Sequence, residues 1–149
     1  MRTELPATFE AIERVFAEFR GRCDCIRVHK ECFQAELLLR EALTNAVVHG
    51  CRGDRSKSIL CTVRVKGARL IIAVEDGGAG FDWRAALSRQ ADPSACSGRG
   101  MEIFRKYATR VRFSEKGNRV TLIKDFKGEA QSGPAEDGAA GKGRREVTK

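Results

Sequence analysis

Residues 58–80 read Ser58-Ile59-Leu60-Cys61-Thr62-Val63-Arg64-Val65-Lys66-Gly67-Ala68-Arg69-Leu70-Ile71-Ile72-Ala73-Val74-Glu75-Asp76-Gly77-Gly78-Ala79-Gly80. Residues 58–65 and 69–75 are rich in Ile, Val and Thr and alternate, which predicts two strands. Gly67 lies between them, so a short turn should join them into a hairpin. The second run passes directly into a cluster of three glycines headed by Asp76.

On the N-terminal side the period changes from two to three and four. Residues 7–21 predict a helix with Thr8 as its cap and Phe9, Ile12, Val15, Phe16 and Phe19 on one stripe. Gly21 ends it, and residues 22–27 read as a connector. A longer helix is predicted over 29–49, with Phe33, Leu37, Ala42, Leu43, Ala46 and Val47 as its apolar face. Gly50 fits the position just past a helix end. Met1–Ala7 is not expected to form a strand, because Pro6 breaks it.

On the C-terminal side, residues 82–99 have weak periodicity and read as a mobile loop containing Pro93, Ser94, Ser97 and Gly98. A short helix should span 100–107. Residues 110–114 and 118–126 read as a second hairpin turned at Lys116-Gly117-Asn118. The remaining residues, 127–149, lack periodicity and should be a disordered tail. The expected organisation is one domain over 1–126. Helices segregated from hairpins predict an α+β fold, a two-layer sandwich with the helices on one face of a mixed, largely antiparallel sheet.

Composition narrows the function. The 149 residues carry 28 Lys+Arg against 20 Asp+Glu, and 42% are hydrophobic, which excludes full disorder and fibrous repeats. No run approaches the roughly 18 apolar residues of a membrane span, and no basic start precedes an apolar stretch. A cytosolic protein with no membrane partner is expected. The positive charge sits in residues 51–126, which hold 16 basic and 8 acidic side chains. That suits an anionic partner such as a nucleotide phosphate or an acidic protein, or it is simply a solvated basic surface. Nucleic acid is disfavoured: Trp83 and Tyr107 are single, and basic and aromatic residues do not interleave.

Six cysteines are expected to be free thiols. Cys23, Cys25, His29 and Cys32 are close in sequence, but the two-residue gap usual for paired zinc cysteines is missing.

Three short segments are candidates for chemistry. Glu41 and Asn45 are four apart on the long helix and face the same side, either as solvated rim residues or as a polar site. Asp76, Gly78 and Gly80 follow a strand. They are either an ordinary glycine turn or a place where a ligand reaches the backbone and Asp76 accepts a hydrogen bond from an exocyclic amine. Gly98, Arg99 and Gly100 lead into a helix, where backbone N–H groups and the helix dipole favour an anion. His49 is one turn beyond Asn45 and suits the negative end of its helix. Phe81 and Trp83 are expected to be packing residues.

In combination these segments are more specific than apart. Arg40-Glu41-Ala42-Leu43-Thr44-Asn45-Ala46-Val47-Val48-His49-Gly50, then Asp76-Gly77-Gly78-Ala79-Gly80-Phe81-Asp82, then Gly98-Arg99-Gly100-Met101, and finally Asn118-Arg119-Val120-Thr121-Leu122 occur in that order. The chain over about residues 7–126 resembles the GHKL ATPase superfamily of gyrase, the ninety-kilodalton chaperone, histidine kinases and mismatch-repair ATPases. Within it, these motifs look most like the anti-sigma-factor serine/threonine kinases.

The resemblance implies a histidine-kinase-like ATPase fold that binds ATP and Mg²⁺. It implies that Asn45 holds the metal and that Asp76 binds the adenine amino group, with Gly78 and Gly80 leaving room for purine and ribose. Gly98, Arg99 and Gly100 would close over the phosphates, Thr121 would lie beneath the adenine, and Glu41 would be the general base. It also implies phosphorylation of an anti-anti-sigma (STAS-type) antagonist, sequestration of a sigma factor, and a homodimer joined through an N-terminal strand. Ala95-Cys96 stand where relatives that transfer phosphate often carry a charge, so Arg99 would supply it or transfer would be slow. The alternative is a non-catalytic ATP-binding, partner-switching module that regulates a phosphatase or other signalling protein.

Overall fold

The computed structural model describes the backbone of residues 1–23, 29–88 and 99–126, with the side chains of 1–22, 31–85 and 99–126. Strand β1 (Arg2–Pro6) precedes helices α1 (Phe9–Cys23) and α2 (His29–Asn45), and a wide π turn, Ala46–Gly50, extends α2. Strands β2 (Ser58–Lys66) and β3 (Arg69–Asp76) follow, then α3 (Trp83–Ser88), α4 (Arg99–Tyr107), β4 (Arg110–Phe113) and β5 (Arg119–Asp125). The five strands form one sheet in the order β1-β2-β3-β5-β4. Every pairing is antiparallel. This is the expected α+β fold with its helices packed on one face of the sheet.

Local sequence accounts for most of the elements. The Thr8 hydroxyl accepts the Ala11 N–H at 3.2 Å and so caps α1, satisfying one of the donors a helix start leaves open. Ala11, Ile12, Val15, Phe16 and Phe19 all point into the core. Lys66 pairs with Arg69, so β2 and β3 turn on two residues. The core face of the sheet alternates as Ile59, Cys61 and Val63 on β2, with Leu70, Ile72 and Val74 on β3. Against it lie Leu38, Leu39 and Leu43 of α2 and Phe104 of α4. Truncating a buried leucine in such a core typically costs about 2–5 kcal/mol.

Three expectations are corrected. Met1–Ala7 does contain a strand: Arg2 pairs with Thr62 and Leu5 with Ile59, through to Pro6 opposite Ser58. Proline is tolerated because it ends a strand at the sheet edge. The apolar face of α2 is rotated from the expected one. Ala35, Leu38, Leu39, Ala42 and Leu43 are buried, while Phe33 is 65% exposed, because Phe33 falls off the stripe that the later pairs define. Within the expected loop 82–99, residues 83–88 form a helix capped by Asp82, whose carboxylate accepts the Ala85 N–H at 3.0 Å. Residues 89–98 of that loop, including Gly98, and the tail 127–149 lie outside the described residues, while Arg99 already belongs to α4.

Candidate functional site

The last turns of α2 project Glu41 and Asn45 to the same side, as their four-residue spacing requires. Neither side chain has a hydrogen-bond partner among the described residues. Beyond Asn45 the helix widens. The Cys51 N–H donates to Ala46 O at 2.7 Å and the Gly53 N–H to Val47 O at 3.0 Å. Such a π turn inserts an extra residue per turn, and here it carries His49 and Gly50 to the end of β3.

Asp76 closes β3. Its Oδ1 accepts the Gly78 N–H at 2.8 Å, and its backbone N–H donates to Asn118 O at 2.9 Å. The Asn118 amide returns the contact by donating to Asp76 O at 3.1 Å. Among the described residues, the carboxylate accepts no second hydrogen bond, which leaves Oδ2 available to a ligand.

The glycine cluster and the β4–β5 turn then clasp each other. Gly80 and Gly117 both have φ of +80°, where side chains are strained. An added Cβ on Gly80 would overlap the Lys116 carbonyl, and one on Gly117 would overlap that of Phe81. The two segments therefore meet backbone to backbone.

Helix α4 completes the enclosure. Buried Gly100 sits so close to α2 that a Cβ there would lie 2.8 Å from Glu41 Oε1 and 2.8 Å from Asn45 Nδ2. The result is a cleft of about 520 Å³ whose lining includes Glu41, Asn45, Asp76, Gly80, Arg99 and Gly100. That volume suits a nucleotide-sized ligand.

Electrostatics in the cleft are those of partly dried carboxylates. Burial pushes the Glu41 carboxyl above its usual range, and the charge of His49 opposes the shift. Burial also pushes Asp76 up, against the Gly78 N–H and the Lys116 and Lys57 charges. Both effects follow from removing water around an ionisable group.

Three candidate positions are not among the described residues that line the cleft. Gly98 is outside the described residues. Thr121 does not line the cleft. It pairs with Ala73 and Arg112 on the face away from the helices, whereas Val120 and Leu122 face inwards by strand alternation. Gly78 is buried behind Asp76 instead of at the cleft surface. The side chains of Cys23, Cys25 and His29 also lie outside the described residues, so the zinc question falls there; Cys32 is a half-buried thiol.

Sequence reasoning missed Asn118, which lines the cleft, because an Asn before a strand looks like any turn residue. It also expected Phe81 and Trp83 to be packed away. Trp83 does stack on Phe113 at 5.6 Å, but Phe81, edge-on to Phe113 at 5.7 Å, is 48% exposed at the cleft. His49 was expected to serve its helix end; it lines the cleft as well.

Among the described residues, the arrangement offers two oxygen-bearing side chains without hydrogen-bond partners, Glu41 and Asn45, packed against Gly100 beside Arg99, and a carboxylate with a free acceptor, Asp76. No helix of the described residues is long and apolar enough to cross a membrane. The family model for the histidine kinase-like ATPase domain matches residues 4–124 of the chain. No curated protein matches it.

Proposed function

This chain belongs to the histidine kinase-like ATPase domain family, and from that premise we propose that it is an ATP-dependent serine/threonine protein kinase acting as an anti-sigma regulatory factor. In this reading it works in the cytoplasm, phosphorylates an anti-anti-sigma (STAS-type) antagonist and sequesters a sigma factor. The observation that supports it best is Glu41. A carboxylate that acts as general base needs an oxygen free to accept a proton, and Glu41 has no hydrogen-bond partner among the described residues, one helical turn from Asn45.

The residues present fit ATP and Mg²⁺. The cleft of about 520 Å³ has room for a nucleotide, and Asn45, which lines it, carries an amide oxygen of the kind Mg²⁺ accepts. When bound, Mg-ATP supplies an activated phosphoryl group whose charge the metal offsets. Asp76 holds the base through its free oxygen. Asn45 would hold the metal, and the Arg99 charge would attract the phosphates. Glu41 takes the proton of the acceptor serine or threonine hydroxyl as that oxygen bonds to phosphorus; the bond to the departing diphosphate oxygen breaks and ADP leaves. Base catalysis of this kind is worth about 10²–10⁴-fold, and positioning supplies most of the remainder.

The test is transfer from labelled Mg-ATP to candidate antagonist proteins, read as phosphoserine or phosphothreonine. Glu41→Gln should keep nucleotide binding and lose transfer. Full transfer by that variant would remove Glu41 from the role. Tight ATP binding with no transfer by the unaltered protein would favour the non-catalytic, partner-switching module.

A further inference from the structure

Gly50 is the last residue of the π turn that extends α2 and, by sequence, is an ordinary helix-ending glycine. That explanation does not hold in the fold. The described glycines with positive φ are Gly53, Gly67, Gly80 and Gly117, and Gly50 is not among them. Its backbone would accept any residue, so the reason for a glycine must be space.

The space is occupied by Asp76. A Cβ on Gly50 would come within 2.6 Å of Asp76 Oδ1 and closer still to Cγ and Oδ2. All three of its nearest neighbours belong to that one carboxyl. Gly78 extends the same packing. A Cβ there would overlap the Gly50 carbonyl and lie 2.7 Å from Asp76 Oδ1. The carboxyl is thus held between the bare Cα of Gly50 on one side and the Gly78 N–H on the other.

We infer that Gly50 is a positioning residue for base recognition: its missing side chain lets the Asp76 carboxylate stand where it accepts a hydrogen bond from the exocyclic amine of adenine. The inference rests on the reading of Asp76 given above. Gly50 itself lines the cleft. It acts through Asp76, and its effect falls on base selectivity more than on the hold of the triphosphate, which lies towards Asn45 and Arg99.

The experiment is calorimetric titration with Mg-ATP and with Mg-ITP, whose base has an oxygen where adenine has the amine. The unaltered protein should prefer ATP. Gly50→Ala should lower that preference about tenfold or more, the worth of a hydrogen bond to a charged group, while ITP binding changes little. Equal losses for ATP and ITP, or an unmoved preference, would overturn the inference and leave the nucleotide site intact. Lack of any preference in the unaltered protein would overturn the reading of Asp76, and this inference with it. Thermal melting adds a second readout. Gly50→Ala should destabilise the native chain but cost little in an Asp76→Ala background, where the carboxyl is gone. If Gly50→Ala fails to fold and the double variant fails as well, the glycine serves another contact and the inference is wrong.

Discussion

Asp76 and Asn118, 42 residues apart, exchange hydrogen bonds in both directions: the Asp76 backbone N–H donates to Asn118 O at 2.9 Å, and the Asn118 side-chain amide donates to Asp76 O at 3.1 Å. The Asn118 side-chain oxygen is in turn hydrogen-bonded with the Ser114 hydroxyl at 3.1 Å. The β4–β5 turn therefore sets the height of the Asp76 carboxyl in the cleft. Asn118→Ala removes the amide contact and should cost about 0.5–1.5 kcal/mol of stability, with a several-fold weaker affinity for Mg-ATP. Melting curves and titration check it. Unchanged affinity would mean that the turn does not support Asp76.

Glu41 links pH to both stability and activity, with opposite signs. Its folded pKa is raised by burial, so ionising it costs stability at neutral pH. That cost disappears below the ordinary carboxylate range, where the group is neutral in folded and unfolded chains alike. Glu41→Gln should therefore raise the melting temperature at pH 7, by the equivalent of about 0.5–2 kcal/mol. The gain should shrink as the pH falls through that range. Transfer activity should instead rise with pH through a midpoint above the usual carboxylate value. A gain in stability that persists undiminished at low pH would contradict this linkage.

Gly100 brings α4 onto α2. In Gly100→Ala the new methyl would press on Glu41 Oε1 and Asn45 Nδ2, each 2.8 Å away, at the end of the cleft where we propose that the metal and phosphates bind. Affinity for Mg-ATP should fall about tenfold or more, as losing a charge-assisted contact would predict. The loss should extend to Mg-ITP, which shares the triphosphate. A loss confined to ATP would place Gly100 at the base instead.

Lys124 is a buried cation, 8% exposed. Its ammonium donates to Gln34 Oε1 at 2.7 Å and to Tyr107 O at 3.2 Å, tying β5 to α2 and to the end of α4. Burial pulls its pKa below the usual lysine range, while Glu31 opposes. Lys124→Ala leaves both acceptors unsatisfied and opens a void, costing about 1–3 kcal/mol or more. Lys124→Met fills the space and should cost less. Denaturant unfolding of the two variants decides between lost charge and lost packing.

Cys51 and Cys61 are fully buried. Burial raises the Cys51 thiol and pushes Cys61 up to about 12, so almost no thiolate forms at neutral pH. Both should resist alkylation until the domain unfolds, and peptide mapping after timed labelling checks this. Fast labelling of Cys51 in the native state would mean that the π turn opens.

Local chemistry made much of this protein legible from its residues. The three- and four-residue steps of Ile12, Val15, Phe16 and Phe19, the alternation of β2 and β3, and the four-residue spacing of Glu41 and Asn45 depend only on near neighbours. So does the exclusion of a long apolar span. Their geometry follows from the helix and strand repeats themselves. What required the tertiary structure was every relation between distant segments. β1 exists because β2 offers it an edge to pair with, and Pro6 is harmless only at that edge. Thr121 turns away from the cleft, and Val120 turns towards it, through the register of β5 against β3. Asn118 meets the backbone, and Gly50 the carboxyl, of Asp76, which is 42 and 26 positions away in the chain. No short-range pattern encodes such contacts, since they arise only when the sheet's register and the helix docking bring separate turns into van der Waals contact.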